Sequence, residues 1–406
     1  MTHSSSGLKR YIILGSSVLI QMILGSIYAW STIAQALQTD RGFNSFQTQL
    51  IFGTVIFVFS FTLILGGKMF RTYGPKITVS LAALLFLAGY SLGGLSAGFI
   101  QNLLSIGLIM GMSIGLGYAC PLSTGVAWFP NHKGFITGIS VFGFGAGSIF
   151  ANWFLTRALQ GGTPVSSLLM GMGIAGGLVI LLSAQVLDLP HTYAATVSRN
   201  ALPVAPRFLV KNTTFWRLAI GMAAGTFPGL IIIGRVGSIA LDNGFGTSIY
   251  SSIPVMALTF VALGNATGRL FWGWLNDILQ EKTIVLSLIL TSVTSFFLIT
   301  PGTEPWVFLT LIYASGFLFG GSLVLYAANT ARFFGNGSLA TVYPYIFVFY
   351  GIAALVGPTI GGRLYDLGGS NTPGLTLAGL IPLLGLLAIQ ISQRNDSDNL
   401  ATEGAS

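Results

Sequence analysis

Apolar residues gather in runs of about 20 along nearly the whole chain, each long enough to cross roughly 30 Å of hydrocarbon at about 1.5 Å of helical rise per residue. The runs fall at 11–37, 48–67, 77–99, 102–127, 135–157, 167–187, 215–241, 250–275, 283–300, 305–331, 341–363 and 374–391. This pattern predicts an all-α integral membrane protein with twelve transmembrane helices. The longest internal connection, Asp188 to Thr214, carries Pro190, Pro203 and Pro206 and has no apolar periodicity. It separates a first six-helix half (1–187) from a second (215–406, ending in a short polar tail), with 188–214 as the linker. Fewer than about 30 residues cannot build a core of their own, so the linker is no extra domain.

The halves echo one another. WFPNHKGFITGISVFGFGAG (128–147), between spans 4 and 5, takes the place that RFFGNGSLATVYPYIFVFYGIAALVGP (332–358) takes between spans 10 and 11. GGKMFRTYGPK (66–76) likewise corresponds to WGWLNDILQEK (272–282). Two repeated six-helix halves are the plan of many secondary transporters, which hold substrate near the membrane midplane between them. Glycine repeats every fourth residue within spans, at Gly107, Gly111 and Gly115, at Gly143 and Gly147, and at Gly264 and Gly268. That spacing lets helix backbones approach closely.

Composition agrees: 53% of the 406 residues are hydrophobic and 7% charged, with a mean hydropathy of +0.80. The net charge of +8 does not point to nucleic acid, because the basic residues are scattered singly between apolar runs. Their distribution reports topology. With the N-terminus cytoplasmic, thirteen Lys and Arg fall on the inner side and three (Arg41, Arg157 and Arg363) on the outer, which puts both termini in the cytoplasm. The single Cys120 lies within a span as a core residue, and the first apolar run, too long for a signal peptide, is the first crossing.

An enzyme would need nucleophiles, bases or metal ligands in or at the mouths of the spans. The three histidines lie outside the spans, and the acids fall in loops or tails, with Asp242 at the outer end of span 7. No metal site, cofactor motif or hydrolase motif is present in the sequence. Two full charges do lie inside spans, Arg235 in span 7 and Arg269 in span 8. Arg235 is about six residues from the outer end, within snorkelling reach of water. Arg269 has Asn265 one turn earlier on the same face and no acid in its span. An intramembrane cation without a partner awaits an anion, and the planar guanidinium matches a carboxylate bidentately. Tyr28, Tyr118, Tyr326 and Tyr350, contributed by both halves, are candidates to complete the site with hydroxyl donors on apolar walls.

YAWS (28–31), GYACP (117–121), WFPNHKGFITGISVFGFGAG (128–147), NTTFWRL (212–218), GNATGRLFWGWLND (264–277) and FFGNGSLATVYPYIFVFYGIAALVGPTIGG (333–362) resemble the major facilitator superfamily, in particular its oxalate:formate antiporter and monocarboxylate transporter group. The resemblance implies the major facilitator fold and alternating access. It makes Arg269 the residue that binds a substrate carboxylate, and Tyr28, Tyr118 and Tyr326 pocket residues. Oxalate carriers of this group have a second cation, a lysine, where this chain has Tyr350, and a glutamine where it has Ile27. Monocarboxylate transporters have an aspartate where it has Asn265, and the superfamily's acidic residue between spans 2 and 3 is missing near Arg71.

These departures favour a monoanion such as lactate, pyruvate or formate over a dianion. The reading is a multi-pass bacterial cell-membrane transporter of small monocarboxylates, coupled to a proton or a counter-anion. Arg269 binds, Asn265 orients it, and Tyr28, Tyr118, Tyr326 and Tyr350 line the pocket. The rival within the class is a dicarboxylate exchanger with Arg235 as its second cation. A membrane sensor would call for a soluble domain that the chain lacks, and a channel would not show saturable counterflow.

Overall fold

The computed structural model of the chain describes residues 3–130, 132–190, 206–247, 251–300, 303–335 and 341–403. Most of the expected linker, 191–205, lies outside the described residues. The rest is helical almost throughout. In the first half, α1 (His3–Gly25) tightens into a 3-10 turn (Ser26–Ala29) and continues as α2 (Trp30–Arg41). Next come α3 (Ser45–Leu95), α4 (Phe99–Asn102), a π-helical stretch (Leu103–Met110), α5 (Gly111–Trp128), α6 (Lys133–Gln160) and α7 (Val165–Val186). The short α8 (Pro206–Leu209) leads into α9 (Thr213–Asp242), α10 (Ser252–Leu279), α11 (Lys282–Phe297), α12 (Pro305–Phe334), α13 (Tyr343–Gly368) and α14 (Thr372–Glu403).

Among the described residues, ten helices are long and apolar enough to cross a bilayer, and α11 is a shorter apolar helix. The 51-residue α3 covers both of the runs at 48–67 and 77–99. It is broken at Gly74, whose φ of 78° belongs to the left-handed region that glycine tolerates, followed by Pro75, which has no N–H to bond back. The turn expected at 66–76 is therefore confined to its last residues. Of the acids expected in loops, Asp40, Asp277 and Asp366 lie on helices α2, α10 and α13, and the terminal Asp396, Asp398 and Glu403 lie on α14. Cys120 is buried, as its place in a span suggested.

Helices α1 to α7 pack largely on one another, as do α9 to α14, and the two sets meet along α3 with α13, α6 with α10, and α2 with α9. One end of the bundle, the distal face, holds Arg41, Ser45, Asp242, Asp366 and Asn371. The opposite, proximal end holds Lys9, which pairs with Asp188 at 2.7 Å, and Trp128, whose indole N–H donates to the Asp188 carbonyl at 2.7 Å. On the distal face a carboxylate ends the first long helix of each set and caps the last one. Asp40 accepts from the Val165 N–H at 2.9 Å, and Asp242 from the Asn371 N–H at 2.6 Å. A carboxylate suits the free N–H groups and the positive end of a helix dipole.

Helix α10, which carries Arg269, lies directly against α12. A Cβ at Gly264 or Gly268 would overlap the carbonyls of Tyr313 and Phe317, and one at Gly316 or Gly320 would overlap those of Val261 and Asn265. This backbone-to-backbone approach supplies packing energy where lipid offers no hydrophobic drive, and it fixes the height and rotation of α10. Gly268→Ala should therefore lower the melting temperature of the purified protein, at an overpacking cost of about 1–3 kcal/mol. Gly171→Ala, where nothing lies within 4 Å, should leave it unchanged or raise it. Equal melting curves for the two variants would show that the α10–α12 contact is not tight.

Candidate functional site

Arg269 sits in the middle of α10 and is 6% exposed. Its Nε donates to Asn265 Oδ1 at 3.2 Å, one turn earlier. Among the described residues no carboxylate pairs with it, and its two terminal nitrogens have no hydrogen-bond partner. The i, i+4 spacing produces this geometry, since residues four apart stack on one helix face. Holding the guanidinium by Nε leaves the Nη1/Nη2 edge free, and that edge can engage both oxygens of one carboxylate.

Aromatic rings from both sets of helices close around the same level. Tyr28 lies in the 3-10 turn that interrupts the first crossing, a tighter winding that often marks a functional position in a long helix. Its ring meets Phe144 of α6 edge-on at 5.5 Å and Phe319 of α12 at 5.9 Å. Its hydroxyl and that of Tyr350 on α13 share a hydrogen bond of 2.8 Å. Phe59 of α3 contacts Tyr118 at 5.3 Å and, across the interface, Phe347 at 5.4 Å, which in turn packs on Tyr350 at 4.8 Å. Tyr118 closes the ring on Phe144 at 5.2 Å. Helix α10 meets this cage beside Arg269: Ala266 lies against Gly145, next to Phe144, and the Asn265 carbonyl lies against Gly320, next to Phe319.

Of the residues singled out by sequence, Arg269, Asn265, Tyr28, Tyr118 and Tyr350 are thus brought to one place. Tyr326 is not seen to join them. It lies two turns further toward the proximal end of α12, its ring against Gly221 and Gly225 of α9, and among the described residues its hydroxyl has no partner. The ring that α12 adds to the cage is Phe319, seven residues earlier on the same stripe. Phe59, Phe144 and Phe319 escaped a search for hydroxyl-bearing aromatics, although the period of seven would have led from Tyr326 to Phe319.

Arg235 is elsewhere. Its Nε donates to Asn371 Oδ1 at 2.5 Å and its Nη2 to Ser238 at 3.1 Å, and its guanidinium stacks 4.0 Å from the Tyr365 ring centroid. Asn371 in turn donates to Asp242 at 2.8 Å. This network belongs to the distal end of α9, α13 and α14, and shares no partner with Arg269. Among the described residues, no group of three or more His, Cys, Asp or Glu is arranged to hold a metal ion.

The Tyr28–Tyr350 bond joins the two sets of helices in a buried setting, so its partners should be energetically coupled. Tyr28→Phe and Tyr350→Phe should each destabilise the protein by about 1 kcal/mol, and the double variant by little more than either alone, because each single change strands the other hydroxyl. Thermal unfolding of the four proteins measures this, and additive losses would show that the hydroxyls do not depend on one another.

Residues 238–405 match the family model described as Major Facilitator Superfamily. Over 386 residues the chain is 23% identical to the oxalate:formate antiporter of Oxalobacter formigenes, covering 93% of this chain and 90% of that one. It is 25% identical over 343 residues to monocarboxylate transporter 11 of Homo sapiens, covering 79% and 69%. The fold matches the crystal structure of a bacterial homologue of the human lysosomal transporter Spinster, in an inward-facing and occupied conformation, with a TM-score of 0.70 at 15% identity over 95% of this chain and 96% of that one. Residues 238–405 thus match the major facilitator superfamily, and over most of its length the chain is similar to the oxalate:formate antiporter and the monocarboxylate transporters.

Proposed function

We propose that this chain is a secondary active transporter of small organic monocarboxylates of the lactate, pyruvate or formate type, working by alternating access. The two arms of α3 and the short α11 bring the crossings to twelve, in two six-helix halves joined by the 188–214 linker. The excess of Lys and Arg supports a cytoplasmic proximal face and cytoplasmic termini, here read in a bacterial cell membrane. The observation that carries the reading is Arg269, a buried guanidinium with no acid beside it among the described residues, at a level where aromatic rings from both halves converge.

The free edge of Arg269 takes the carboxylate, and Asn265 holds the fork in place. The rings of Phe59, Phe144, Phe319 and Phe347 take up the small apolar remainder, while the Tyr28 and Tyr350 hydroxyls offer the polar contact. Removing water from around the pair strengthens the attraction, since a charge pair interacts several-fold more strongly near low-dielectric protein than in bulk water. The neutral Asn265 offers no proton at this position, so coupling runs through a proton carried elsewhere or through a counter-anion. Dicarboxylate exchange would need a second cation facing Arg269. Tyr350 stands at the expected position, and Arg235 is committed to its distal network.

Arg269→Ala decides the site. Lactate, pyruvate and formate should be screened as thermal stabilisers of the wild type, and the best of them taken into counterflow in proteoliposomes. A bound ligand raises stability in proportion to RT ln(1 + [L]/Kd), so the shift should vanish in the variant. Its affinity should fall by about 100-fold or more with the loss of two charge-assisted bonds. Equal stabilisation of both proteins would place the carboxylate elsewhere, and uptake of oxalate without uptake of a monocarboxylate would restore the exchanger.

A further inference from the structure

The hydrogen bonds described between the two halves include the Tyr28–Tyr350 pair, Gly237 N–H to Ser31 Oγ at 3.2 Å, Gln49 Nε2 to the Gly234 carbonyl at 2.9 Å, and two bonds accepted by Asp366. These lie at the level of Tyr28 or distal to it. Apolar contacts such as Phe59 on Phe347, and Gly138 beside Leu270, join the halves toward the proximal side.

The Asp366 bonds differ from the others in kind. Asp366, in the last turn of α13, accepts from the N–H groups of Ser45 at 2.9 Å and Phe46 at 2.7 Å, the first two residues of α3. The other two free N–H groups of this helix start are satisfied locally, Asn44 by the Gln47 side chain at 3.0 Å and Gln47 by the Asn44 side chain at 2.8 Å. The four free donors of this helix start are therefore divided, two capped from within the N-terminal half and two by a carboxylate of the other half. Asp40 and Asp242 also cap helix starts on this face, but each does so within its own half. Only in the Asp366 cap, among these three, does separating the halves strip a helix start of its anion.

We propose that Asp366 is the latch of the distal gate: its carboxylate, capping α3 from across the interface, holds the halves together on that face, and the central site opens to the distal side only when both N–H bonds are released. The cap favours the distally closed arrangement by its charge-assisted bonds, and water must replace it in the open one. The latch rests on the alternating-access reading but not on the identity of the substrate.

A thiol reporter at Ser31, which is 5% exposed at the distal interface, tests it in the absence of any carboxylate ligand. In a Cys120→Ala background, Ser31→Cys should react slowly with a membrane-impermeant maleimide. Adding Asp366→Ala should speed labelling by about 10-fold or more, the effect expected from losing two charge-assisted bonds. Asp366→Asn, which keeps one acceptor and also serves if the alanine variant does not purify as a folded protein, should give a smaller increase. Asp40→Ala, which removes a cap of the same kind within one half, should leave the rate unchanged. Labelling that stays slow with Asp366 replaced, or that rises as much with Asp40 replaced, overturns the latch. Ligand stabilisation of the wild type and its loss in Arg269→Ala are read separately, so the latch can fail while the carboxylate site stands.

Discussion

A guanidinium in an apolar bundle has to be compensated, and around Arg269 the described compensation is neutral: one amide oxygen, that of Asn265. Burying a charge without a counter-charge is among the costlier arrangements a protein can hold, and in a membrane such residues face an interior cavity. Much of the surrounding architecture follows. Helix α10 cannot rotate to release the charge into lipid, because its glycines are pressed against the α12 backbone. The 3-10 turn at Ser26–Ala29 winds the first crossing more tightly at the residue whose hydroxyl meets Tyr350.

The duplicated helix caps show how the same physical solution serves two ends. Asp40 with Val165 and Asp242 with Asn371 are separated by roughly the repeat length, so each half ties its last helix to its first by one carboxylate on one helix start. The Arg157 and Arg363 regions, TRALQGG and GRLYDLGG, end α6 and α13 in the same way. Arg235 belongs to this frame. Its bonds to Asn371 and Ser238 and its stacking on Tyr365 brace the distal end of the second half.

The membrane helices and the isolated cation were legible because each follows from a local rule: run length, and a charge where hydrocarbon should be. Asn265 was legible for the same reason, since a four-residue spacing is enough to bring it to Arg269. The cage was only partly legible. Tyr28, Tyr118 and Tyr350 stood out by their hydroxyls, but the choice of Phe319 over Tyr326 depends on how far along α12 the partner helices converge, which is a tertiary matter. The 51-residue α3 is two helices joined across a break at Gly74 and Pro75, in keeping with its two apolar runs. Arg235 was weighed as a second cation because its spacing from the helix end says nothing of Asn371 or Tyr365, which come from 130 or more residues away.

Replacing a second cation by a tyrosine changes more than the charge count. Two fixed cations facing one cavity would repel each other when the halves close, and a dianion would have to be present to relieve them. With Tyr350 in that position the closing contact is a hydroxyl pair, Tyr28 with Tyr350, which each half can make without any charge being neutralised. Arg269 then remains the one term that rewards an occupant, and it rewards a single negative charge. In the proposed transport cycle the carboxylate neutralises the guanidinium, the rings cover the remainder, and the hydroxyl pair closes above it. A second carboxylate would meet phenyl rings and no second cation, where desolvation has no matching gain. In the proposed reading, selectivity for monoanions follows from what the second half withholds as much as from what Arg269 offers.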